Sequence, residues 1–419
     1  MAKLRISPLA FLLAACLALP SAYAQTFTVL YSFTGAADGA NPSTATMVRD
    51  ANGNLFGTTH FGGDNSCNKS LHEGCGTVFK LAASGNLTVL HTFLGGAHGL
   101  ASSGLVLDGN GNLYGVAGGG LNHGLVFRVG TTGGYKELYN FAGGDDGDLP
   151  GSYLVRDPAG NLYGTTLLGG GSSDPLCPNS GGCGTVFELR PAGQHKVLYP
   201  FPRNAAGSEP SSLIRDSAGT LFGTTHGGGK GCIPVGGCGT IFKLDSTGKK
   251  SVLHSFTGGK DGASPSGGLV LDAAGNLYGT ASAGGDLTCP YSGGEGCGVV
   301  FKIDTKGVET VLHSFHGGSD GSVPVSVILG STGDFSAALF GTTQSGPNTS
   351  ICGTVFKLDF QGNLTNLHNI AGGTEGCGPV GSLVQDFANN LYGATVLAGY
   401  FGNPEVCLNG CGTLFELKP

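Results

Sequence analysis

The stretch that decides the fold runs from Gly268 to Phe315: Gly268-Leu269-Val270-Leu271, Asn276-Leu277-Tyr278-Gly279-Thr280, Val299-Val300-Phe301-Lys302-Ile303 and Thr310-Val311-Leu312-His313-Ser314-Phe315. Each run is rich in β-branched, aromatic or leucine residues and is bounded by Gly, Asp, Asn or Pro, which is the pattern of a short strand. None has the period or length of a helix. The apolar runs are nearly continuous, as expected of sheets covered on both faces.

Working outward, the same unit recurs along the chain. Leu-aromatic-Gly appears with its glycine at Gly57, Gly115, Gly164, Gly223, Gly279, Gly341 and Gly393, at intervals of 58, 49, 59, 56, 62 and 52 residues. A second landmark, Gly-Thr-Val-Phe-Lys-Leu or a variant, starts at Gly76, Gly124, Gly184, Gly239, Gly298, Gly353 and Gly412. A third, of the Leu-His-Ser-Phe type, centres on Tyr31, His91, Tyr139, Tyr199, His254, His313 and His368. Self-similarity at such a period marks a repeat architecture. Four strands per unit, seven units and no helices predict an all-β, seven-bladed β-propeller of four-stranded blades. A solenoid would need distinct capping repeats, and none is visible.

If the strand entering from the Pro-containing turn is innermost, the order in each blade is A, B (Leu-Tyr-Gly), C (Gly-Thr-Val-Phe) and D (Leu-His-Ser-Phe). The chain past its leader opens with a D strand, Phe27 to Phe33, and closes with a C strand, Gly412 to Leu417. The N-terminal strand is therefore expected to complete the last blade, which would remove the ring's open edges. The Asn-Leu-Tyr-Gly-Thr-Thr and Gly-Thr-Val-Phe-Lys-Leu patterns resemble the bacterial extracellular tandem repeats called GloVer (Gloeo-Verruco) repeats. The resemblance covers nearly the whole chain, with repeats two and six departing most. It implies a surface or secreted location and no particular activity.

The first 24 residues read as an export signal: Lys3 and Arg5, an apolar run from Leu9 to Leu19, and Ala22-Tyr23-Ala24 before a cut at Gln25. Residues 25–419 are then expected to form one propeller domain, secreted to the extracellular space or periplasm. Leu13-Ala14-Ala15-Cys16 fits the competing reading of a lipid anchor at Cys16. No later stretch has the length of a transmembrane helix. Losing Lys3 and Arg5 with the leader takes the net charge from −7 to −9, which argues against nucleic acid as a partner. Glycine, at 80 of 419 residues, recurs at fixed places and so points to tight turns rather than disorder.

Cys16 apart, twelve cysteines remain, and in an exported chain these are disulfides before they are metal ligands. Local pairs are Cys67/Cys75, Cys177/Cys183, Cys232/Cys238, Cys289/Cys297 and Cys407/Cys411, leaving Cys352 to join Cys377. Each local pair lies in a different repeat, so no closed zinc site is expected, nor any other metal or cofactor.

Strand alternation puts the D–A and B–C connections on one face. Between the B and C glycines lie 18, 8, 19, 15, 18, 11 and 18 residues, against tight turns on the other face. This long-loop face is where binding residues are expected. The residue after Gly-Thr-Thr varies as His60, Gly118, Leu167, His226, Ser282, Gln344 and Val396. Of these, His60, His226 and Gln344 are binding candidates, with the imidazoles able to act as acid or base. The D–A turns offer Asp38, Asp146, Asp261, Asp320 and Glu375, which form either a cation-binding ring about the axis or simple Asp-Gly turns. Phe61, Tyr291, Tyr400 and Phe401 are candidates to stack on a sugar. Asp50, Asp108, Asp157, Asp216, Asp272 and Asp386 in the A–B turns read as structural. No nucleophile or phosphate-binding motif is present. The sequence thus favours a binding scaffold for an extracellular glycan or protein, with a polysaccharide hydrolase or lyase as the alternative.

Overall fold

The computed structural model describes residues 25–418 apart from 44–45, 65–66, 68–73, 97–99, 102–103, 119–122, 152, 172–176, 178–181, 203–206, 231, 233–236, 266, 291–293, 332–336, 347–351 and 398–409. The signal region with Cys16, and Cys407, Tyr291, Tyr400 and Phe401, lie outside the described residues.

Seven antiparallel sheets follow one another as blades of a β-propeller. Blade four shows the pattern in full: A at Ser208–Arg215, B at Leu221–Gly227, C at Thr240–Leu244 and D at Lys250–Ser255, hydrogen-bonded in that order. In the seventh blade Thr26–Ser32 takes the D position, with Thr26 opposite Lys418 and Ser32 opposite Thr413. The ring closes as the sequence implied. The A strands are the least regular. Blade five keeps only Val270–Leu271 and a bridge between Ala263 and Ala283 among the described residues, and its Gly267-Gly268 has no side chains to pack.

Each sequence landmark has a packing reason. A Cβ on Gly223 would lie 2.5 Å from Phe242 Cζ, and one on Gly164 2.6 Å from Phe187 Cζ. The B-strand glycine thus exists so that the C-strand phenylalanine can lie across it. The D-strand phenylalanine then meets the next blade's C-strand ring edge-on: Phe201 and Phe242 are 5.2 Å apart at 69°, Phe256 and Phe301 5.3 Å at 61°. All four rings are fully buried, and such pairs add about 0.5–1.5 kcal/mol beyond their buried area. In the A–B turns Asp157 accepts from Asn161 N–H and amide and from the Tyr163 hydroxyl, at 2.9, 2.9 and 3.2 Å. Burial acts to raise this carboxyl, but those bonds outweigh it and hold it below the usual range.

The blades are joined by a repeated device. The residue before the A-strand proline has a left-handed backbone at Asn41, Leu149, Glu209, Ser264 and Val323, with φ between 52° and 56°. That conformation is uncommon for any residue with a Cβ and an outlier for a β-branched one, costing on the order of 1–3 kcal/mol. Each strained residue sends its N–H to a carbonyl of the preceding blade: Glu209 to Cys183 at 2.8 Å, Val323 to Cys297 at 3.0 Å. The following proline ring packs on the preceding blade's C-strand glycine, so that a Cβ on Gly184 would sit 2.5 Å from Pro210 Cδ.

Disulfides join Cys67–Cys75, Cys177–Cys183, Cys232–Cys238, Cys289–Cys297 and Cys352–Cys377. The sixth expected pair, Cys407/Cys411, is not among these bridges, because Cys407 lies outside the described residues. Cys411 itself is disulfide-bonded and fully buried in the core shared by blades seven and one. Its carbonyl accepts the Asn41 N–H at 2.8 Å, as the Cys183 and Cys297 carbonyls do at their own joints.

The Cys352–Cys377 bridge is different in kind. Cys377 directly precedes the Gly378-Pro379 corner of blade seven, so this cystine staples blade six to blade seven. At the same two positions blade two carries His123 and blade three Asp148, with Nδ1 and Oδ2 3.0 Å apart. Both loops that lack a local cystine are the short ones, and both are held across the joint instead.

Candidate functional site

Site geometry begins with the second threonine of Gly-Thr-Thr. Thr225 Oγ1 lies 2.8 Å from Thr240 Oγ1, accepts from Thr240 N–H at 3.0 Å and donates to the Gly227 carbonyl at 2.9 Å. Thr59 with Thr77, Thr166 with Thr185, Thr343 with Thr354 and Thr395 with Thr413 repeat the pairing at 2.8–3.0 Å. In these five blades the buried hydroxyls fix the end of the B strand, and with it the varied residue that follows; blades two and five carry Ala117 and Ala281 instead. Across from that residue sits the strained residue of strand A. Ser208 pairs with Gly227 and Pro210 with Thr225, so Glu209 faces His226. By the same register Asn41 faces His60, Leu149 faces Leu167, Val323 faces Gln344 and Gly378 faces Val396. Ser264 stands beside Ser282, which donates its hydroxyl to the Ser264 carbonyl at 3.1 Å. The mouth of the ring is thus lined by cross-strand pairs that differ from blade to blade.

His226 and Gln344 are exposed and His60 is half-buried. Burial lowers the His60 imidazole below its ordinary value. Its neighbour Asn41 has a buried Oδ1 with no hydrogen-bond partner among the described residues. Blade four alone among the described pairs sets a carboxylate opposite an imidazole. Sequence spacing hides this, because Glu209 and His226 become neighbours only once the strand register is known.

The A strands of separate blades also meet near the axis. Tyr153 of blade three reaches the Gly268 backbone of blade five and the Ser382 hydroxyl of blade seven, and burial pushes its phenol up to about 12 despite those two bonds. Three non-adjacent blades meet only at the axis, so the A strands are innermost and Tyr153 crosses the channel. Ser326 and Ser382 hydroxyls, 2.6 Å apart, continue this polar lining. The equivalent residues are Thr46, Gly104, Ser212, Gly268, Ser326 and Ser382. One aromatic set against six small side chains was a signal available in the sequence, and it was missed because strand A carries no landmark.

With the D strands outermost, Asp38, Asp146, Asp261 and Asp320 belong to the outer rim, not to a ring about the axis. Each carboxylate accepts one N–H from its own turn, from Thr34, Ala142, Thr257 and His316 at 2.8–3.1 Å. Each also meets the D-strand Tyr or His seven residues earlier. Tyr31 donates to Asp38 at 3.0 Å and Tyr139 to Asp146 at 2.6 Å, while His254 lies 3.3 Å from Asp261 and His313 3.2 Å from Asp320. Those rings carry the next blade: His91 stacks on Tyr135 at 3.6 Å, Tyr139 on His195 at 4.4 Å. The structure therefore brings His60, His226 and Gln344 to the mouth and leaves the four aspartates on a separate rim. Phe61 is half-buried against the core beneath blade one.

Residues 20–176 and 178–289 match the Gloeobacter/Verrucomicrobia repeat. The chain belongs to that family. No curated protein matches this Gloeobacter/Verrucomicrobia repeat protein. Among solved structures it is similar to a gluconolactonase from Xanthomonas campestris, at 15% identity over 93% of this chain and 88% of that one, with a TM-score of 0.42. It is also similar to a PQQ-bound aldose sugar dehydrogenase from Streptomyces coelicolor, at 14% identity over 94% and 98%, TM-score 0.43. A calcium-binding regucalcin from Agrobacterium tumefaciens shares 17% identity over 77% and 87%, TM-score 0.41. At such values the likeness carries no chemistry to this repeat protein. Among its described residues no helix is long and apolar enough to cross a membrane, and its disulfides suit an oxidising compartment.

Proposed function

We propose that this protein is exported, cut before Gln25, and acts as a binding scaffold whose funnel mouth recognises an extracellular glycan or protein. One observation carries the reading: the mouth pairs differ between blades, while the residues next to them repeat. Repetition serves the ring; variation in a rigid, walled depression is what a recognition surface needs. The polar groups at the mouth, Asn41, His60, Glu209, His226 and Gln344, suit hydrogen bonding to hydroxyl-rich or peptide ligands.

A second reading rests on the Glu209–His226 pair. A carboxylate beside an exposed imidazole is the smallest arrangement that supports general acid–base chemistry, and it would make the protein a hydrolase or lyase acting on polysaccharide. Mass spectrometry of the mature protein incubated with soluble xylan, pectin, β-glucan and gelatin separates the two. Ligand retained unchanged supports the scaffold; product that grows with time and vanishes in Glu209→Gln supports the enzyme and sinks the scaffold.

A further inference from the structure

The D–A turns offer several copies of one device, and the turn leaving blade five differs from the rest. We propose that this turn is a metal site on the outer rim, in which His313, His316 and Asp320 bind a divalent cation of the zinc class.

Three residues after the D-strand landmark the other turns carry Thr34, Leu94, Ala142, Pro202, Thr257 and Ala371. Thr34 and Thr257 donate their hydroxyls to Asp38 and Asp261, each at 2.5 Å. Blade five has a second imidazole in that place. His316 Nδ1 lies 3.3 Å and His313 Nε2 3.2 Å from the same oxygen, Asp320 Oδ2. The three donor atoms all lie within 4.8 Å of one another. Zinc bonds of about 2.0–2.2 Å in a tetrahedron place neighbouring ligands roughly 3.3–3.5 Å apart. Two of the three edges already have that length. Rotating His316, whose side chain is 62% exposed, closes the third.

The donor set chooses the ion. Two imidazoles and one carboxylate suit zinc, cobalt or nickel, whereas calcium and magnesium take oxygen cages. Three protein ligands leave a fourth position for water or for a donor from another molecule. The site borders an open groove of about 1060 Å³ that also touches Asn366 and His368, so a cation has access. Asp286, in the long loop of blade five, is near enough for His316 and Asp320 to act on its carboxyl, and adds negative charge beside the site. A reading built on cysteines expected no metal; His316 stands out only when the turn is set against its six counterparts.

Titration of the tag-free mature protein with Co²⁺, followed by its visible d–d absorption, tests the assignment. The expected result is a single bound Co²⁺ per chain, displaced by Zn²⁺, with affinity falling as the imidazoles protonate. His316→Thr restores the turn found in blades four and seven, keeps a donor for Asp320 and so keeps the fold, as circular dichroism would verify. It should weaken Co²⁺ binding by at least about tenfold. No d–d band in the native protein, or equal affinity in His316→Thr, overturns the proposal.

Discussion

Pro210 and Glu209 are adjacent residues with opposite habits. Pro210 packs on Gly184 of the preceding blade, in a contact that recurs between Pro324 and Gly298 and between Pro42 and Gly412. Glu209, one residue earlier, faces His226 in a pair found in no other described blade. The joint and the mouth are built on the same strands, yet chemistry repeats at one and changes at the other. The joint has one geometric problem to solve at each blade boundary, so one solution recurs. Nothing in the ring's stability dictates what stands at the mouth, and those positions are open to recognition.

The comparison is broken most easily at the joint. Gly184→Ala puts a Cβ 2.3 Å from the Thr166 carbonyl and 2.5 Å from Pro210, at a φ of +104°. Both neighbours are held by the ring, so the substitution should cost about 4 kcal/mol or more in urea denaturation. A cost below about 1 kcal/mol would mean that the joints are looser than the packing implies. Replacing Cys352 and Cys377 together by Ser should cost about 3.5 kcal/mol, from the chain-entropy estimate for a 25-residue separation.

The turns come next. Asp157 titrates below the usual range when folded. A depressed carboxyl contributes stability that is fully present above its unfolded value near pH 4 and is lost as pH falls through the folded one. Asp157→Ala should therefore cost about 2 kcal/mol at pH 7, from its charged hydrogen bonds, and progressively less as the pH is lowered toward about 2. Urea midpoints at the two pH values check this. His123→Ala removes a contact to Asp148 whose imidazole is 45% exposed, so the cost should stay below about 1 kcal/mol. A cost equal to that of the cystine would show that the two joints are equivalent in strength as well as position.

How much of this was legible follows the same division. The three landmarks, each in seven copies, and the closing strand could be read directly, because B, C and D strands each carry a repeated aromatic or glycine with one packing role. Strand A was legible only in its second half, as at Val270–Leu271. The Pro-Ser-Gly composition of the first half gives no period, so Glu209 and Tyr153 went unnoticed. The Asp residues of the D–A turns were read as either an axial ring or simple Asp-Gly turns, and their bonds to Thr34, Ala142, Thr257 and His316 favour the turns. The spacing of seven to Tyr31, Tyr139, His254 and His313 was the missing clue, since both ends were read as separate landmarks.

Mouth substitutions should matter least to the fold and most to function. His226→Ala and Gln344→Ala remove exposed side chains, and each should shift stability by no more than about 0.5 kcal/mol. The most direct measurement is affinity electrophoresis of the native protein, the double variant Glu209→Gln/His226→Ala and the rim variant His316→Thr in gels containing soluble xylan, pectin or β-glucan, with gelatin as the protein arm. The expected result is that one of these matrices retards the native protein and the rim variant alike, while the mouth variant runs unretarded with its denaturation midpoint unchanged. Equal retardation of the mouth variant would contradict the assignment of recognition to the funnel mouth.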